Sequence, residues 1–329
     1  MNDDLLADGF SHLIFHCGQF SENERVLILF DEYNEALASK LDVFLKSKKI
    51  NCQLFLLESK CERIYHLPEV EYVNNFNLSL ALTVYSIAHT SLRKSFCNNG
   101  GRFLSLPSLP EESFYSKDFL HCYTEEIPQM KNLQAILDVG ENIVISSFDK
   151  INSAQYQLQL SISRRFSNFC PGIALDAGGL ASPPDSEVNI APIEDTINGR
   201  IVVTGSIATP EIGLIPGEAP LILEFQKGRL VKCACSTANV SNFINERILG
   251  SFPCRSVVGE LGFGFNPKSQ LRGIMLHDEG VQGAIHLGFG SNQFIGGKNS
   301  CDFHLDMVTK DCSVLIDGNK ILHENRYLV

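Results

Sequence analysis

The sequence predicts an α/β N-terminal domain with an open parallel sheet, followed by an α+β, largely antiparallel C-terminal domain that carries a metal site. Three observations predict it. Up to Gly140, short continuous apolar runs alternate with segments of helical periodicity, the βαβ pattern. Beyond it, apolar and polar residues alternate in segments broken by Gly, Pro and Asn, as antiparallel strands do. In the last third, glycine-rich turns surround a concentration of carboxylates and imidazoles. The boundary falls between residues 137 and 153, giving domains 1–145 (Rossmann-like in architecture only) and 146–329.

The elements follow in order. Leu5, Leu6, Phe10, Leu13 and Ile14 are spaced for a helix within residues 5–20. "ERVLILFD" (24–31) is a continuous apolar run ended by an acid, the mark of a strand buried on both faces. "NEALASKLDVFLKSKK" (34–49) reads as a helix with Ala36, Leu41, Phe44 and Leu45 apolar, and "NCQLFLLES" (51–59) as the second strand. "LSLALTVYS" (78–86), a helical stretch at 89–97, and "GRFLSLP" (101–107) continue the pattern. No glycine stands between Phe30 and Ala36, so a dinucleotide-binding turn is absent. In the second half, "ENIVISSF", "YQLQLSISRRF", "GRIVVTGSI" and "CSVLIDGNKIL" are strands, "LEFQKGRLVKC" is a hairpin turning at Lys227-Gly228, and "NVSNFINERILG" is an intervening helix.

Composition narrows the function. The 329 residues are 44% hydrophobic and 20% charged, a globular balance, and no run approaches the roughly 18 apolar residues of a membrane span. The first residues are acidic, unlike a leader peptide, so a cytoplasmic protein is expected. Net charge is −11, and the densest basic group, Lys46, Lys48 and Lys49, reads as a solvated helix end; neither nucleic acid nor membrane is an expected partner. The eleven cysteines form no paired framework and no CxxC, and are expected to be reduced thiols packed as small hydrophobes.

The chemistry is written in "GELGFGFNP" (259–267), "HDEGVQGAIHLGFGSNQFIGG" (277–297) and "CDFHLDMV" (301–308). His304 and Asp306, two residues apart, share a face if they lie on a strand. His286 sits in an alternating segment, and Glu260 precedes a glycine run that permits close approach of backbone and ligands. Taken singly, such residues are more often core histidines or solvated acids. Together they argue for a cation, because burying so many ionisable groups without one is costly. Asp278 is expected to cap a turn, Glu279 to be the better proton carrier, and Asn266-Pro267 to be structural.

These motifs resemble those of the aminopeptidase T (thermophilic metallo-aminopeptidase) family: "GELGFGFNP", "DEGVQGAIHLGFGSN", "GGKNSCDFHLD" and "SVLIDG", with "SEVNIAP" (186–192) similar to an upstream family block. The resemblance implies two divalent ions (Zn, Co or Mn) bound by Glu187, Glu260, His286, His304 and Asp306, with one carboxylate bridging. It implies a metal-dependent hydrolase that releases N-terminal amino acids or acts on a specialised small peptide, with Glu260 and Glu279 catalytic; Gln293, and Lys298 and Asn299 in the loop before the His-x-Asp pair, are expected to line the substrate. It also implies a homodimer. Two departures stand out: the family's tyrosine position falls on Gln293, and Ser186 replaces a glycine. Relatives with a segment like "GSNQFIGG" include the 2,5-dihydroxypyridine ring-opening dioxygenases, which hold one Fe(II). On that reading His286, His304 and Asp306 supply the iron ligands, and Glu187 and Glu260 stand behind them. A catalytically inactive peptide- or ligand-binding relative is the remaining alternative.

Overall fold

The computed structural model describes residues 2–60 and 63–329. The chain forms two compact units, Met1–Glu125 with Cys170–Asp185, and Glu126–Phe169 with Ser186–Val329. The division therefore precedes helix Ile127–Val139 rather than falling near residue 145. The reason is packing: Met130, Leu133 and Leu137 of that helix are buried in the same core as Ile143, Ile145 and Val188.

The first unit is built on a six-stranded sheet ordered Arg63–Tyr65, Asn51–Lys60, Arg25–Asp31, Leu78–Leu82, Arg102–Ser105, Leu180–Ala181. All neighbours pair in parallel except Arg63–Tyr65, which turns back antiparallel on Asn51–Lys60. Strand Arg25–Asp31 is central and buried from Val26 onward, as its unbroken apolar run demands. After it comes a short 3-10 turn, Glu32–Asn34, and helix Glu35–Ser47. The Asp31 carboxylate accepts hydrogen bonds from Asn34 Nδ2 (2.7 Å) and Val84 N (2.6 Å), so the turn is closed by side chains, not by glycines. The N-terminal helical segment is α-helical over Asn2–Ser11 and π-helical over His12–Cys17.

The second unit holds two antiparallel sheets. One has eight strands, running from Arg229–Ala234 through Leu221–Gln226, Asn198–Val203, Ala154–Ser161, Asn142–Asp149, Ser313–Ile316 and Asn319–His323 to Arg326–Tyr327. Its hairpin turns at Lys227 (φ 47°) and Gly228 (φ 77°), the left-handed pair that suits a tight two-residue turn. The other has seven strands, ordered Gly213–Leu214, Ser206–Ile207, His304–Thr309, Ile285–Gly290, Val258–Gly264, Glu187–Ile190, Asn168–Cys170. Apolar residues of both sheets meet in one core, including Ile143, Leu158 and Ile201 from the first and Val188, Leu261, Phe263, Leu287, Phe289 and Met307 from the second. The fold class read from the sequence, parallel α/β and then largely antiparallel α+β, is the one observed.

Cysteine chemistry differs from expectation at one place. Cys254 and Cys301 are joined in a disulfide across 47 residues, while the other described cysteines are free. Sequence spacing does not disclose this pair, because the chain between them folds out and back through two strands before Cys301 returns beside Cys254. Among the described residues, no helix is long and apolar enough to cross a membrane.

Candidate metal centre

Four adjacent strands of the seven-stranded sheet place the candidate ligands by simple alternation. The register pairs Glu187 with Gly264, Asn189 with Gly262, Gly262 with His286, Glu260 with Gly288, Gly288 with Asp306, and Gly290 with His304. Directly paired residues project to the same side of an antiparallel sheet. One side therefore carries Glu187, Asn189, Glu260, His286, His304 and Asp306, interspersed with glycines. The other carries Val188, Ile190, Leu261, Phe263, Ile285, Leu287, Phe289, Leu305 and Met307, all in the core. The segments "EVNI", "ELGFG", "IHLGFG" and "HLDMV" thus each write a ligand face and a core face in turn.

Glycine is required on the ligand face at two positions. A Cβ at Gly262 would stand 2.0 Å from His286 Cε1 and 2.1 Å from Nε2, so the imidazole lies across bare backbone. A Cβ at Gly288 would stand 2.8 Å from Asp306 Oδ1, 2.9 Å from Glu260 Cβ and 3.1 Å from His304 Cε1. Gly288 is the space into which three ligands converge.

The side chains form two trios that share Glu260: Glu187, Glu260 and His286, and Glu260, His304 and Asp306, with ligand atoms in each within 4.8 Å of one another. His286 Nε2 lies 3.1 Å from Glu187 Oε2 and 3.8 Å from Glu260 Oε1; His304 Nε2 lies 3.7 Å from Glu260 Oε2 and 3.0 Å from Asp306 Oδ2. The first trio is buried throughout. In the second, the His304 side chain is 34% exposed and faces out. Glu260 converges with His304 and Asp306 within 4.8 Å, and His286 stands diagonally across from Asp306, near enough that its charge bears on that carboxylate. His286 pairs with Val308 and Gly288 with Asp306, so His286 and Asp306 stand in neighbouring rows of adjacent strands.

Electrostatics follow from this alternation of anion and cation. Burial raises the Glu260 carboxyl, and the charge of Glu187 adds to it, against the opposing pull of His286 and His304. Desolvation opposes charge on His286, but Glu187 and Glu260 outweigh it and hold the imidazole well above its ordinary value. Desolvation acts in the same sense on His304, yet Asp306 and Glu260 push it up to about 9. Burial alone would raise Asp306; His304 outweighs it and brings the carboxyl down to about 2. The donor set fits a divalent ion. Three carboxylates and two imidazoles converge under cover, and among the described residues His286 Nδ1 and Asp306 Oδ1 are buried without a hydrogen-bond partner for those atoms. Hard oxygen and imidazole donors suit iron, manganese, cobalt or zinc.

The remaining expected residues divide. Glu279 is buried at the end of helix Met275–Glu279; it shares a side-chain hydrogen bond with Asp306, and its charge bears on His286. A hydrogen bond between two carboxyls needs one proton, so Glu279 is placed to hold one. Asp278 accepts from Arg272 N (2.6 Å) and Gly273 N (2.9 Å), closing a turn as expected. Gln293 lies exposed in the 3-10 turn Gln293–Ile295. Lys298 gives its backbone N–H to Glu194 Oε1 (2.5 Å) and its side chain is exposed. The Asn299 amide donates to Cys254 O (2.8 Å) and Gly290 O (2.7 Å), so it fastens the loop that leads to His304. Glu194 completes this loop's anchorage, accepting from Asn292 Nδ2 (3.0 Å) and pairing with Arg165 (2.7 Å).

Sequence reasoning missed Asn189 and Asn168. Asn189 Nδ2 donates to Glu187 Oε1 (2.7 Å) and Asn168 Nδ2 donates to Asn189 Oδ1 (2.9 Å). The signal for Asn189 was its position two residues after Glu187, on the same face of a strand. Tyr327 was missed too: its hydroxyl donates to Gly264 O (2.8 Å) and its ring stacks on Phe265 with centroids 4.2 Å apart. It shores up the strand opposite Glu187.

Comparison with known proteins places this arrangement. No curated protein compared matches by sequence. Among solved structures, the 2,5-dihydroxypyridine dioxygenase from Pseudomonas putida KT2440 is similar at a TM-score of 0.79 and 15% identity, over 99% of this chain and 98% of that one. Wild-type AmpT from Thermus thermophilus is similar at a TM-score of 0.68 and 12% identity, over 99% of this chain and all of that one. At these identities the likeness is one of fold. Residues 154–328, which contain every residue of the two trios, match the family described as NicX: 2,5-dihydroxypyridine 5,6-dioxygenase, and with more than half of its length matched the chain belongs to that family.

Proposed function

We propose that this chain is an Fe(II)-dependent oxygenase that opens a dihydroxylated aromatic ring, with Glu260, His304 and Asp306 holding the metal. The observation that carries the reading is the asymmetry of the two trios. The one containing His304 is the one with a solvent-facing member, so it has a side on which substrate can arrive. Membership of the dioxygenase family supports it. The absence of a tyrosine at Gln293 argues in the same direction, since the aminopeptidase phenol is missing.

A divalent iron held there would supply open positions for a ring hydroxyl and for O₂. The chain's own groups do the rest. Gly288 keeps the three ligands close by leaving them its side-chain volume. His286 Nε2 lies 3.8 Å from Glu260 Oε1 and His304 Nε2 lies 3.7 Å from Glu260 Oε2, so the two oxygens of Glu260 face different imidazoles. Glu279, beside Asp306, is the group assigned to pass a proton to a ring oxygen or to the product. Hydroxylated pyridines of the 2,5-dihydroxy type are the first substrates to try.

A second reading keeps one specific observation in its favour: Glu260 belongs to both trios, as a bridging carboxylate of a two-ion hydrolase would. Elemental mass spectrometry of protein purified without chelator separates the two, together with oxygen uptake on dihydroxypyridines and release of N-terminal amino acids from peptides. One iron per chain with oxygen uptake supports the oxygenase. Two zinc, cobalt or manganese ions with peptide turnover would refute it.

A further inference from the structure

Two of the strands that carry the candidate ligands are stapled together outside the centre. Cys254 lies in the 3-10 turn Pro253–Ser256, just before strand Val258–Gly264. Cys301, its disulfide partner, lies just before His304, the first residue of strand His304–Thr309. Strand Ile285–Gly290 runs between those two, with Val258 paired to Phe289 and Gly290 paired to His304. The disulfide therefore crosses the end of the middle strand and joins its two neighbours, with the Cα atoms 5.6 Å apart. Weaker contacts gather at the same place. The Asn299 amide donates to Cys254 O and Gly290 O, Ser291 N donates to Phe303 O at 2.9 Å, and the Arg255 guanidinium lies 4.6 Å from the centre of the Phe303 ring. His304 opens its strand and its side chain is partly exposed, so its place depends on the loop that delivers it.

We propose that the Cys254–Cys301 bond is a redox-operated latch on the loop that delivers His304: closed, it holds the imidazole at the metal centre, and opened by a dithiol, it loosens the loop and weakens the hold on the ion. The proposal rests on the reading of His304 as a metal ligand and on no assignment of the others. Two observations make the bond a reversible one. The other described cysteines are free, and among them Cys122 is exposed and Cys52, Cys170, Cys233 and Cys235 are half-buried. Where most thiols of a chain stay reduced, an isolated disulfide is usually transient or redox-sensing. Cys254 and Cys301 are themselves only half-buried and are flanked by exposed Pro253, Ser300 and Asp302, so a thiolate can reach the sulfurs. The exchange balances as follows. One thiolate of the dithiol attacks a bridge sulfur and forms a mixed disulfide, and its second thiol displaces that sulfur. The dithiol leaves as its cyclic disulfide, and two electrons and two protons pass to Cys254 and Cys301. Closure runs through a small-molecule disulfide, which takes up the two electrons and leaves as two thiols.

The test compares three metal-free forms: oxidised wild type, wild type reduced by a dithiol that is then removed without air, and the double variant Cys254→Ser, Cys301→Ser, which is permanently open and brings no new thiol to bind metal. Thiols counted in denaturant should be two more after reduction than before. Hydrogen exchange read by mass spectrometry should quicken over residues 291–303 in both open forms and stay unchanged in strand Arg25–Asp31. The Co²⁺ Kd, from competition with a chelator, is expected to weaken about tenfold in both open forms, the scale on which groups supporting a metal ligand act. Reoxidising the reduced wild type with glutathione disulfide should restore its Kd, while the double variant responds to neither reagent; if that variant does not fold, the reduced and reoxidised wild type decide the matter. An equal thiol count before and after reduction would overturn the latch. So would a Kd that agrees within about twofold among all forms, a result that leaves His304 standing as a ligand. Oxidised wild type that binds no Co²⁺, and behaves in this as His304→Ala does, would overturn the reading of His304 and the proposal with it.

Discussion

Replacing Gly288 by alanine tests the centre at its tightest point. The added methyl carbon would meet Asp306 Oδ1 at 2.8 Å, Glu260 Cβ at 2.9 Å and His304 Cε1 at 3.1 Å. Non-bonded carbon contacts settle at about 3.5–4.0 Å, so each of the three must retreat by roughly half an ångström or more. Metal–ligand distances tolerate only about 0.2 Å. The expected result is a loss of at least tenfold in metal affinity, which corresponds to about 1.4 kcal/mol, and overpacking should cost about 1–3 kcal/mol of folding stability. Gly262→Ala gives the contrast. Its methyl would stand 2.0 Å from His286 Cε1, displacing that ring while sparing His304 and Asp306 from direct contact. With a single iron in the outer trio, Gly288→Ala loses the metal, whereas Gly262→Ala keeps one ion per chain at reduced affinity. With two ions, Gly262→Ala drops from two to one. Stoichiometry by elemental analysis and Kd by chelator competition read both. A Gly288→Ala protein that binds metal within about twofold of wild type would refute the steric argument and the assignment of the outer trio.

Three further outcomes are expected. In metal-free protein, His304 is raised to about 9 and Asp306 lowered to about 2, so their contact contributes fully between the unfolded carboxyl value and the unfolded imidazole value. Its contribution is lost as pH rises through about 9 and again as it falls through about 2. Thermal melts of metal-free wild type against pH should show this window, and His304→Ala should flatten it; an unchanged profile in the variant counts against the pairing. Reducing the Cys254–Cys301 bond, or making Cys301→Ser, opens a 47-residue loop. Chain entropy then predicts destabilisation of up to roughly 4 kcal/mol, visible as a lower Tm with dithiol reductant. Tyr327→Phe keeps the stack on Phe265 and removes the hydrogen bond to Gly264 O, so denaturant melts should show a loss of about 0.5–1.5 kcal/mol.

Much of the centre was legible because its geometry is a matter of counting by twos. His304 and Asp306 share a face for the reason that any i and i+2 do on a strand, and the core residues between ligands, Leu261, Leu287 and Leu305, announce the opposite face. The parallel strands at 24–31 and 51–59 were legible for a related reason: a continuous apolar run has no other home than a sheet covered on both sides. What stayed hidden depends on register between distant strands. That Glu260 serves two trios follows from its pairing with Gly288, which in turn pairs with Asp306, and no local pattern encodes that match. The grip of Asn168 on Asn189 and the meeting of Cys254 with Cys301 likewise join segments that only the folded chain brings together. The place of helix Ile127–Val139 in the second unit was obscured because its apolar face shows that it is buried, and not against what.

The ligand face of the seven-stranded sheet also sets which kinds of sequence change the centre can absorb. Each strand needs only an apolar residue on one side and its ligand or glycine on the other, and many apolar residues meet that need. Substitution along these strands can therefore run far, as the 15% identity at a TM-score of 0.79 illustrates. A one-residue insertion or deletion inside any of the four strands is another matter. It would turn that strand's carboxylate or imidazole into the hydrophobic core and bring a leucine or phenylalanine out in its place. The centre is permissive to drift in composition and closed to drift in length, so gaps between related chains should collect in the loops around residues 266–282 and 291–303 and leave the strands uninterrupted.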